Sequence, residues 1–597
     1  GTGDHHAWIA LLSSLVLVVA SEAARSGALE SRARGALAGV ALGVLIGVMV
    51  GSWVASLLFL VIPFQLVLAV WIAVRGARAL EGLAPLGFAT HSVAALVLLP
   101  AVLASPWRHE HPWMVVNLSW FHPAQLALGA AVFAPLLVPG AFAPRTLAAR
   151  LYPLGVALAL ALLGALAWLL ELPPARGLAE GFAWASRADS FMDTVQESAP
   201  LVGARAESGV LFLALGYSVL ALPVALIWLA RTAFAERRLE LAVWVVSCAW
   251  LVGWALVQRR FADPLAVPLA VALGLGAARL ARFKPRVIAP LVCIAAALAH
   301  LPSARSAWRG LTRPEMTDEQ RAFDAVAGER LALEWIRGVE RGDGRWSVLS
   351  HWDRGHPIEW VADAASVATN FGSYIGVDSY RDPPRFFLSQ SPDEALALLE
   401  RRSTRFVLAP ASLVSVLRSQ IRVAGPELGA SLVEGSAPAE RYWATMAGRL
   451  LSGGAALGAG QRWLDPSRSS LSRLALVYVS RERNAQVQDP RSRQALPAAF
   501  VWERVPGAEL EWRGESGARL EVQLSLDFPS AGYGIQWRAE ARADEHGLAR
   551  VVCPYPTDQA LGQGVVRSAS WSAGADRGSL RVPLEAVRAG ARVELTR

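Results

Sequence analysis

The chain has 597 residues, of which 54% are hydrophobic and only 18% charged. Soluble domains carry about a quarter of their residues as Asp, Glu, Lys or Arg, so an ordinary cytosolic enzyme is excluded. The formal charge is +8, but Lys284 is the only lysine and no Lys/Arg-rich run of the nucleic-acid-binding type occurs, so no nucleic acid partner is expected, and three cysteines are too few for a disulfide framework.

A helix needs about 20 apolar residues to cross roughly 30 Å of hydrocarbon. In chain order the apolar segments 7–23, 36–52, 54–74, 88–104, 123–140, 151–171, 209–230, 239–257, 262–282 and 286–302 meet or approach that length. This predicts about ten spans, with the pair 36–52 and 54–74 parted only around Gly51–Ser52. Arginines cluster in alternate loops: Arg25, Arg32 and Arg34; Arg75 and Arg78; Arg145 and Arg150; Arg231, Arg237 and Arg238; then Arg279 to Arg286. By the positive-inside rule those loops face the cytoplasm. Asp4, the 36-residue loop 173–208, the Arg259–Arg260 turn and everything after residue 302 then fall on the outer face. ATP and nucleotide sugars are absent there, so synthetic chemistry needs a donor activated elsewhere and carried across, and a lipid-linked donor is the natural choice. The opening GTGDHHAWIALLSSL has neither an initiator Met nor a signal-peptide pattern, so a native N-terminus upstream is expected.

After residue 302 the pattern changes. A helical period dominates 314–342, the strand WSVLS leads into HWDRGHPIEW, and SPDEALALLERRSTRFVLA reads as a helix entering a strand, with Ser391 as N-cap. Residues 424–470 are rich in small residues and read as helical. From about Phe500, short alternating strands with glycine turns predict a β-sandwich. The expected architecture is a polytopic α-helical membrane domain over 1–302, a soluble α/β domain over 303–495 and a C-terminal β-rich domain over 496–597.

Four constellations carry chemistry, each with a plainer reading beside it. In Gly3-Asp4-His5-His6, a carboxylate with an imidazole two residues on suits Mg²⁺ or Mn²⁺; alternatively Asp4 caps the first helix. Thr194-Val195-Gln196-Glu197-Ser198 lies in the long outer loop, where Glu197 is either functional or a solvated carboxylate. Gln258-Arg259-Arg260-Phe261 places two guanidiniums against the charge bias, either as phosphate forks or snorkelling to headgroups. His351-Trp352-Asp353-Arg354-Gly355 offers ring N–H donors and a carboxylate that can grip a small hydroxyl, or is a strand-end turn with a partly buried Trp. Asn117-Leu118-Ser119 also matches an N-glycosylation acceptor in an outer loop.

Taken together and in this order, these motifs resemble the catalytic subunit of oligosaccharyltransferase, the membrane enzyme of asparagine-linked glycosylation. HWDRGHPIEWVADAASVATNFGSYIG resembles the family's WWDYG region, GTGDHHAWIALLS its second acidic motif, TVQES its external-loop motif ending in Glu, and QRRF its late Arg-containing helix motif; WERVPGAEL and VVCPYPTDQ resemble stretches of its C-terminal domain. The resemblance implies a GT-C fold of about thirteen spans, of which the first few and a first acidic motif would lie upstream, leaving this chain inactive alone. It implies catalytic roles for Asp4 and Glu197, with Asp4, His6 and Glu197 ligating Mn²⁺ or Mg²⁺. Arg260 and Arg259 would hold the donor pyrophosphate. His351, Trp352 and Asp353 would hold the Ser/Thr hydroxyl of an Asn-x-Ser/Thr acceptor. The implied partners are a lipid-linked oligosaccharide, an acceptor polypeptide and the bilayer of a prokaryotic plasma membrane, with the protein acting as a single subunit. Two departures stand out: His351 replaces the first Trp and Arg354 replaces the Tyr. The family's second hydroxyl-site motif would fall near 412–421, where its signature is absent. Other readings are a different lipid-donor glycosyltransferase of the same fold, a non-catalytic remnant, or a transporter, the last disfavoured because the charges sit at helix ends.

Overall fold

Glycine recurs at every fourth position of one apolar helix: Gly35, Gly39, Gly43, Gly47 and Gly51. In the computed structural model this stripe builds the tightest helix pair of the N-terminal unit, which spans Gly1–Arg313. The structure describes residues 5–75, 81–138, 147–186, 195, 198–202, 210–282, 323–341, 344–370, 376–425, 431–435, 437–454, 471–489 and 493–596, with scattered positions between 290 and 320 and at 372, 427, 456–457 and 464–465. The principal helices of this unit are α1 (His5–Arg25), α2 (Arg32–Ser52), α3 (Ile62–Arg75), α4 (Leu83–Ala104), α5 (Phe121–Phe133), α6 (Leu147–Leu169), α7 (Pro173–Ala185), α8 (Leu222–Ala235), α9 (Leu239–Val257) and α10 (Ala262–Ala281).

The α2 stripe lies on α4. A Cβ at Gly39 would meet the Leu86 carbonyl at 2.6 Å, at Gly43 the Thr90 carbonyl at 2.7 Å, and at Gly47 the Ala94 carbonyl at 2.9 Å. Small residues four apart let two backbones approach until dispersion and Cα–H···O contacts hold them, which matters where lipid removes the hydrophobic drive between helices. The same device continues across α4: Gly87 packs under the Phe133 ring and Gly129 of α5 under the His91 ring.

Among the described residues seven helices are long and apolar enough to cross a membrane, running from Ala7–Arg25 to Arg259–Leu280. The segments 36–52 and 54–74 are separate helices, divided at Trp53–Ser56, after which a π-helical turn Leu57–Val61 leads into α3. Two expected spans differ. Segment 123–140 is the shorter Phe121–Leu137, ending in a 3₁₀ turn with Pro135. Segment 151–171 runs into α7 with a 97° bend between Leu158–Leu169 and Pro173–Ala185. Segment 286–302 lies largely outside the described residues.

The loop expected over 173–208 therefore begins with a helix. Pro173 and Pro174 sit in the first helical turn of α7, where a missing N–H costs nothing, and Leu172 before them is extended. Gly177 and Gly181 bring α7 against the backbone of Trp113 and the side chain of Val115. This thirteen-residue helix, which carries Arg176 and Glu180 among its apolar and small residues, reads as loop from the sequence because it is too short for a span.

The second unit spans Pro314–Arg597. Helix α11 (Ala325–Arg337) is capped by Asp324, whose carboxylate accepts from the backbone N–H groups of Val326 and Ala327 at 3.1 and 3.0 Å. A five-stranded sheet has the order β2 (Ala365–Ser366), β1 (Ser347–Leu349), β3 (Thr404–Pro410), β5 (Ala499–Arg504), β4 (Leu474–Val479). The first three strands are parallel, and β5 runs antiparallel to both neighbours. Helices α12 (Val377–Leu388) and α13 (Pro392–Arg401) precede β3, and the Ser391 hydroxyl caps α13 through the Glu394 N–H at 3.3 Å. Beyond β5, a three-stranded sheet and a four-stranded sheet follow, the latter built on the ten-residue pair Arg519–Phe528 and Tyr533–Arg542. One hydrophobic cluster runs through the unit from Ala332 to Val587. The helical expectation over 424–470 is corrected: its described residues hold only the short helix Met446–Leu451, a 3₁₀ turn at Glu440–Ala444 and two-residue strands. Glycines at 448, 453 and 454 weigh against a longer helix, the last two adopting positive φ.

The α2–α4 contact is testable. Gly43→Leu forces a branched side chain into the Thr90 carbonyl and lowers stability by about 2 kcal/mol or more. Gly253→Ala, where a Cβ meets nothing within 4 Å, leaves the thermal midpoint in detergent unchanged or raised. Equal midpoints for the two variants would remove the seam from its structural role.

Candidate active site

Three segments converge at one end of the N-terminal unit. Helix α7 ends at Trp184–Ala185, the stretch 198–201 follows, and the 256–261 turn joins α9 to α10. Gln258, fully buried, donates its Nε2–H₂ to the carbonyls of Trp184 (3.3 Å) and Ala185 (2.5 Å). The Arg259 N–H donates to the Ala199 carbonyl at 2.8 Å, and the Leu201 N–H to the Leu256 carbonyl at 3.3 Å. Each bond satisfies backbone that no regular element covers, which burial makes obligatory. Phe261 is fully buried and anchors the turn against Trp53, Phe59 and Trp254, with ring centroids 5.9, 6.0 and 5.8 Å away. Above that anchor the Arg260 guanidinium lies over the Trp184 ring, 4.9 Å from its centroid.

Trp184 also walls an apolar cavity of about 600 Å³, together with Trp53, Leu58, Phe121, Leu163 and Phe182. Gln125 is the one amide in its lining. It belongs to a chain of polar groups between helices: Gln125 Nε2 lies 3.5 Å from Gln65 Oε1, Gln65 Nε2 lies 3.1 Å from His91 Nε2, and His91 Nδ1–H donates to the Gly87 carbonyl at 2.7 Å.

The structure thus brings Ala199 and Leu201, just after the Thr194–Ser198 motif, onto Arg259 and Leu256. Arg259 and Arg260 both sit in the 3₁₀ turn Arg259–Phe261. Asp4 and Glu197 lie outside the described residues, and His6 is placed by its backbone as the second residue of α1. Among the described residues no group of three His, Cys, Asp or Glu side chains is arranged to hold a metal ion. Asn117 and Ser119 are corrected as a modification site: both are buried, the Asn117 amide donates to Met114 Sδ at 3.1 Å, and the Ser119 hydroxyl donates to the Met114 carbonyl at 2.6 Å. Cys248 and Cys553 are free and buried.

In the second unit, the chain leaves β1, ties Ser350 Oγ to the Leu408 carbonyl of β3 at 2.9 Å, and turns through the 3₁₀ helix Trp352–Arg354. Gly355 is required there, because a Cβ would meet the backbone of Ala368 and Thr369 inside contact distance. His351 is buried, with its Nδ1 2.7 Å from Asp353 Oδ1. A carboxylate only accepts, so Nδ1 carries the proton. His351 Nε2 is buried with no hydrogen-bond partner among the described residues. Trp352 is 9% exposed, its ring 5.2 Å from that of His351.

Arg354 explains its own departure from the resembled motif. Its Nη1 meets Asp353 Oδ2 at 2.7 Å, while its Nε and Nη2 fork onto Glu329 of α11 at 2.5 and 3.1 Å. Nη2 also donates to Ser412 Oγ at 3.1 Å, and the Ser412 hydroxyl donates to Glu329 Oε1 at 3.2 Å. Burial alone would raise the Asp353 carboxyl. The His351 hydrogen bond and charge, with the Arg354 charge, outweigh it and hold the group below the usual carboxylate value. Glu329 and Ser412 were missed from sequence. The available signal was Glu329 itself, a carboxylate on the buried face of an amphipathic helix beside Ala332, Leu333 and Ile336.

No protein-family model matches the chain. Two curated proteins from Archaeoglobus fulgidus are similar over short stretches. Dolichyl-phosphooligosaccharide-protein glycotransferase 2 is 36% identical over 95 residues, 16% of this chain and 15% of that protein; glycotransferase 1 is 32% identical over 94 residues, 14% of this chain and 15% of that protein. The matched stretch is thus about 15% of each relative's length. Solved structures of the archaeal oligosaccharyltransferase AglB from the same organism match the whole chain. The complex with an inhibitory peptide and a dolichol-phosphate gives a TM-score of 0.77 at 16% identity, covering 100% of this chain and 82% of that one. The form tethered to an acceptor peptide containing the NVT sequon gives 0.73 at 16% identity, and the complex with Zn and sulfate gives 0.68 at 16% identity, with the same coverage. The resemblance read from the motifs therefore holds in both comparisons, and the chain has the fold of these enzymes.

The Asp353 environment predicts a pH effect. A carboxyl held low in the folded state contributes stability that is present above its unfolded value, about 3.9, and is lost as pH falls through the folded value. Acid unfolding of the wild type is therefore steeper below about pH 4 than that of Asp353→Asn. Superimposable acid limbs would contradict the ion-pair assignment.

Proposed function

We propose that this protein transfers an oligosaccharide from a polyprenyl-pyrophosphate lipid to the Asn side-chain amide of Asn-x-Ser/Thr sequons, at the outer face of a prokaryotic plasma membrane and as a single subunit. The observation that carries the reading is the junction at Trp184: a cation and a hydrocarbon-lined cavity meet at one residue, as a lipid with an anionic head requires. The fold relatives support it, since AglB structures contain dolichol-phosphate in one case and an acceptor peptide in another.

In this reading the Arg260 guanidinium, with Arg259 beside it, holds the pyrophosphate through paired N–H donors and stabilises the charge that grows on it as the glycosidic bond breaks. Asp4, His6 and Glu197 form an oxygen-rich donor set with one imidazole, suited to Mn²⁺ or Mg²⁺; the ion would add positive charge next to the leaving group. Asp4 and Glu197 also accept from the acceptor amide N–H groups. That weakens the delocalisation which makes a carboxamide nitrogen a poor nucleophile. His351, Trp352 and Asp353 bind the Ser/Thr hydroxyl two residues on, and binding energy spent there orients the Asn.

The protein expressed from its full-length gene and purified, given a prenyl-pyrophosphate oligosaccharide and an Asn-x-Thr peptide, should yield a glycopeptide whose glycan maps to Asn by mass spectrometry. Chelation abolishes the product and Mn²⁺ or Mg²⁺ restores it. Trp352→Ala or Asp353→Ala lowers the rate on the order of 100-fold. A glycan on Ser, Thr or lipid, with full activity in both variants, favours a glycosyltransferase of the same fold without sequon recognition. Absence of any Asn-linked glycan overturns the proposal.

A further inference from the structure

Trp184 lies outside the motifs, yet among the described residues it both meets the Arg260 guanidinium and lines the apolar cavity. Its place is fixed from two sides. Below it, Gly177 and Gly181 seat α7 on Trp113 and Val115. At its own backbone, the Gln258 amide donates to the Trp184 and Ala185 carbonyls at the end of α7. Gln258 lies two residues before Arg260, so the clamp that sets the indole also sets the cation resting on it.

We infer that Trp184 is a positioning residue that couples the head and the tail of a prenyl pyrophosphate. A guanidinium stacked over an aromatic face keeps its in-plane N–H donors pointing away from the ring, where a phosphate can take them in pairs. In a prenyl pyrophosphate the anion is joined directly to the first carbon of the hydrocarbon chain. A site for it must pass from charge to hydrocarbon within one side chain's width, and Trp184 spans that passage. A chain filling the cavity removes water from the indole, and lower local polarity strengthens both the cation–π contact and the guanidinium–phosphate pair. The anionic head and the chain therefore bind cooperatively through the indole.

This inference rests on the reading that Arg260 holds the phosphate, and the experiment separates the two. Farnesol and farnesyl pyrophosphate are titrated into the full chain in detergent, and the ratio of their dissociation constants gives the gain due to the head. Trp184→Leu shrinks that gain about tenfold, and Trp184→Phe, which keeps a weaker aromatic face, recovers most of it. In an Arg260→Gln background the gain is already lost and Trp184→Leu has no further effect. If Arg260→Gln abolishes the gain but Trp184→Leu and Trp184→Phe leave it at the wild-type value, the coupling role is overturned while the phosphate reading stands. If Arg260→Gln leaves the gain intact, the phosphate reading fails and the inference with it. Should Trp184→Leu not fold, Trp184→Phe is compared with Trp184→Met: most of the gain kept in Phe and lost in Met requires an aromatic surface, and gains equal to wild type in both variants exclude it.

Discussion

Close backbone approach between α2 and α4 is the constraint from which the N-terminal unit is built. Three glycines of α2, Gly39, Gly43 and Gly47, each sit where any side chain would collide with α4, and Gly35 meets Gly82 just before it. Inside hydrocarbon, helices gain nothing from hiding apolar surface from one another, so contact distance decides which pairs form. Once α4 is fixed, Gly87 and the His91 ring receive α5 through Phe133 and Gly129. The position of α5 sets one wall of the apolar cavity, and the bend before α7 sets another.

The irregular backbone at the other side of that cavity obeys a second rule. Where buried backbone leaves helical geometry, its peptide groups must be satisfied by protein. The Gln258 amide and the backbone bonds from Arg259 and Leu201 do this for three separate segments. One consequence is that the same bonds orient Arg260 and Trp184. Structural satisfaction and site geometry are therefore a single arrangement, and a substitution at Gln258 disturbs both.

The second unit solves a different problem around His351–Gly355. Arg354 stands where the resembled motif has Tyr, and a half-buried guanidinium needs partners for its donors. Glu329, Asp353 and Ser412 supply them. Asp353 accordingly has both oxygens engaged, one by His351 and one by Arg354, and presents its remaining lone pairs in a direction those two bonds define.

Much of this was legible in the residues. Apolar length predicted most of the helices, and the Ser391 cap and the strand leading to His351 appear where local pattern placed them. These are short-range properties: capping, period and hydropathy act within a few turns. Other features were not legible. The bend at Leu170–Leu172 and α7 were among them, as were the bonds of Ala199 to Arg259 and of Leu201 to Leu256, which join positions far apart in the chain. The glycine stripe of α2 was visible in the letters, but nothing in them named α4 as its partner. The sequence by itself determined that there is a helical apolar unit followed by an α/β and β-rich unit, and which residue types carry charge at the helix ends. Only the tertiary structure decided that Arg260 rests on Trp184 beside a hydrocarbon cavity, and that Arg354 pairs with Glu329. Both contacts arise from packing between distant segments, whose partners are chosen by shape and by the need to satisfy buried polar groups rather than by local sequence.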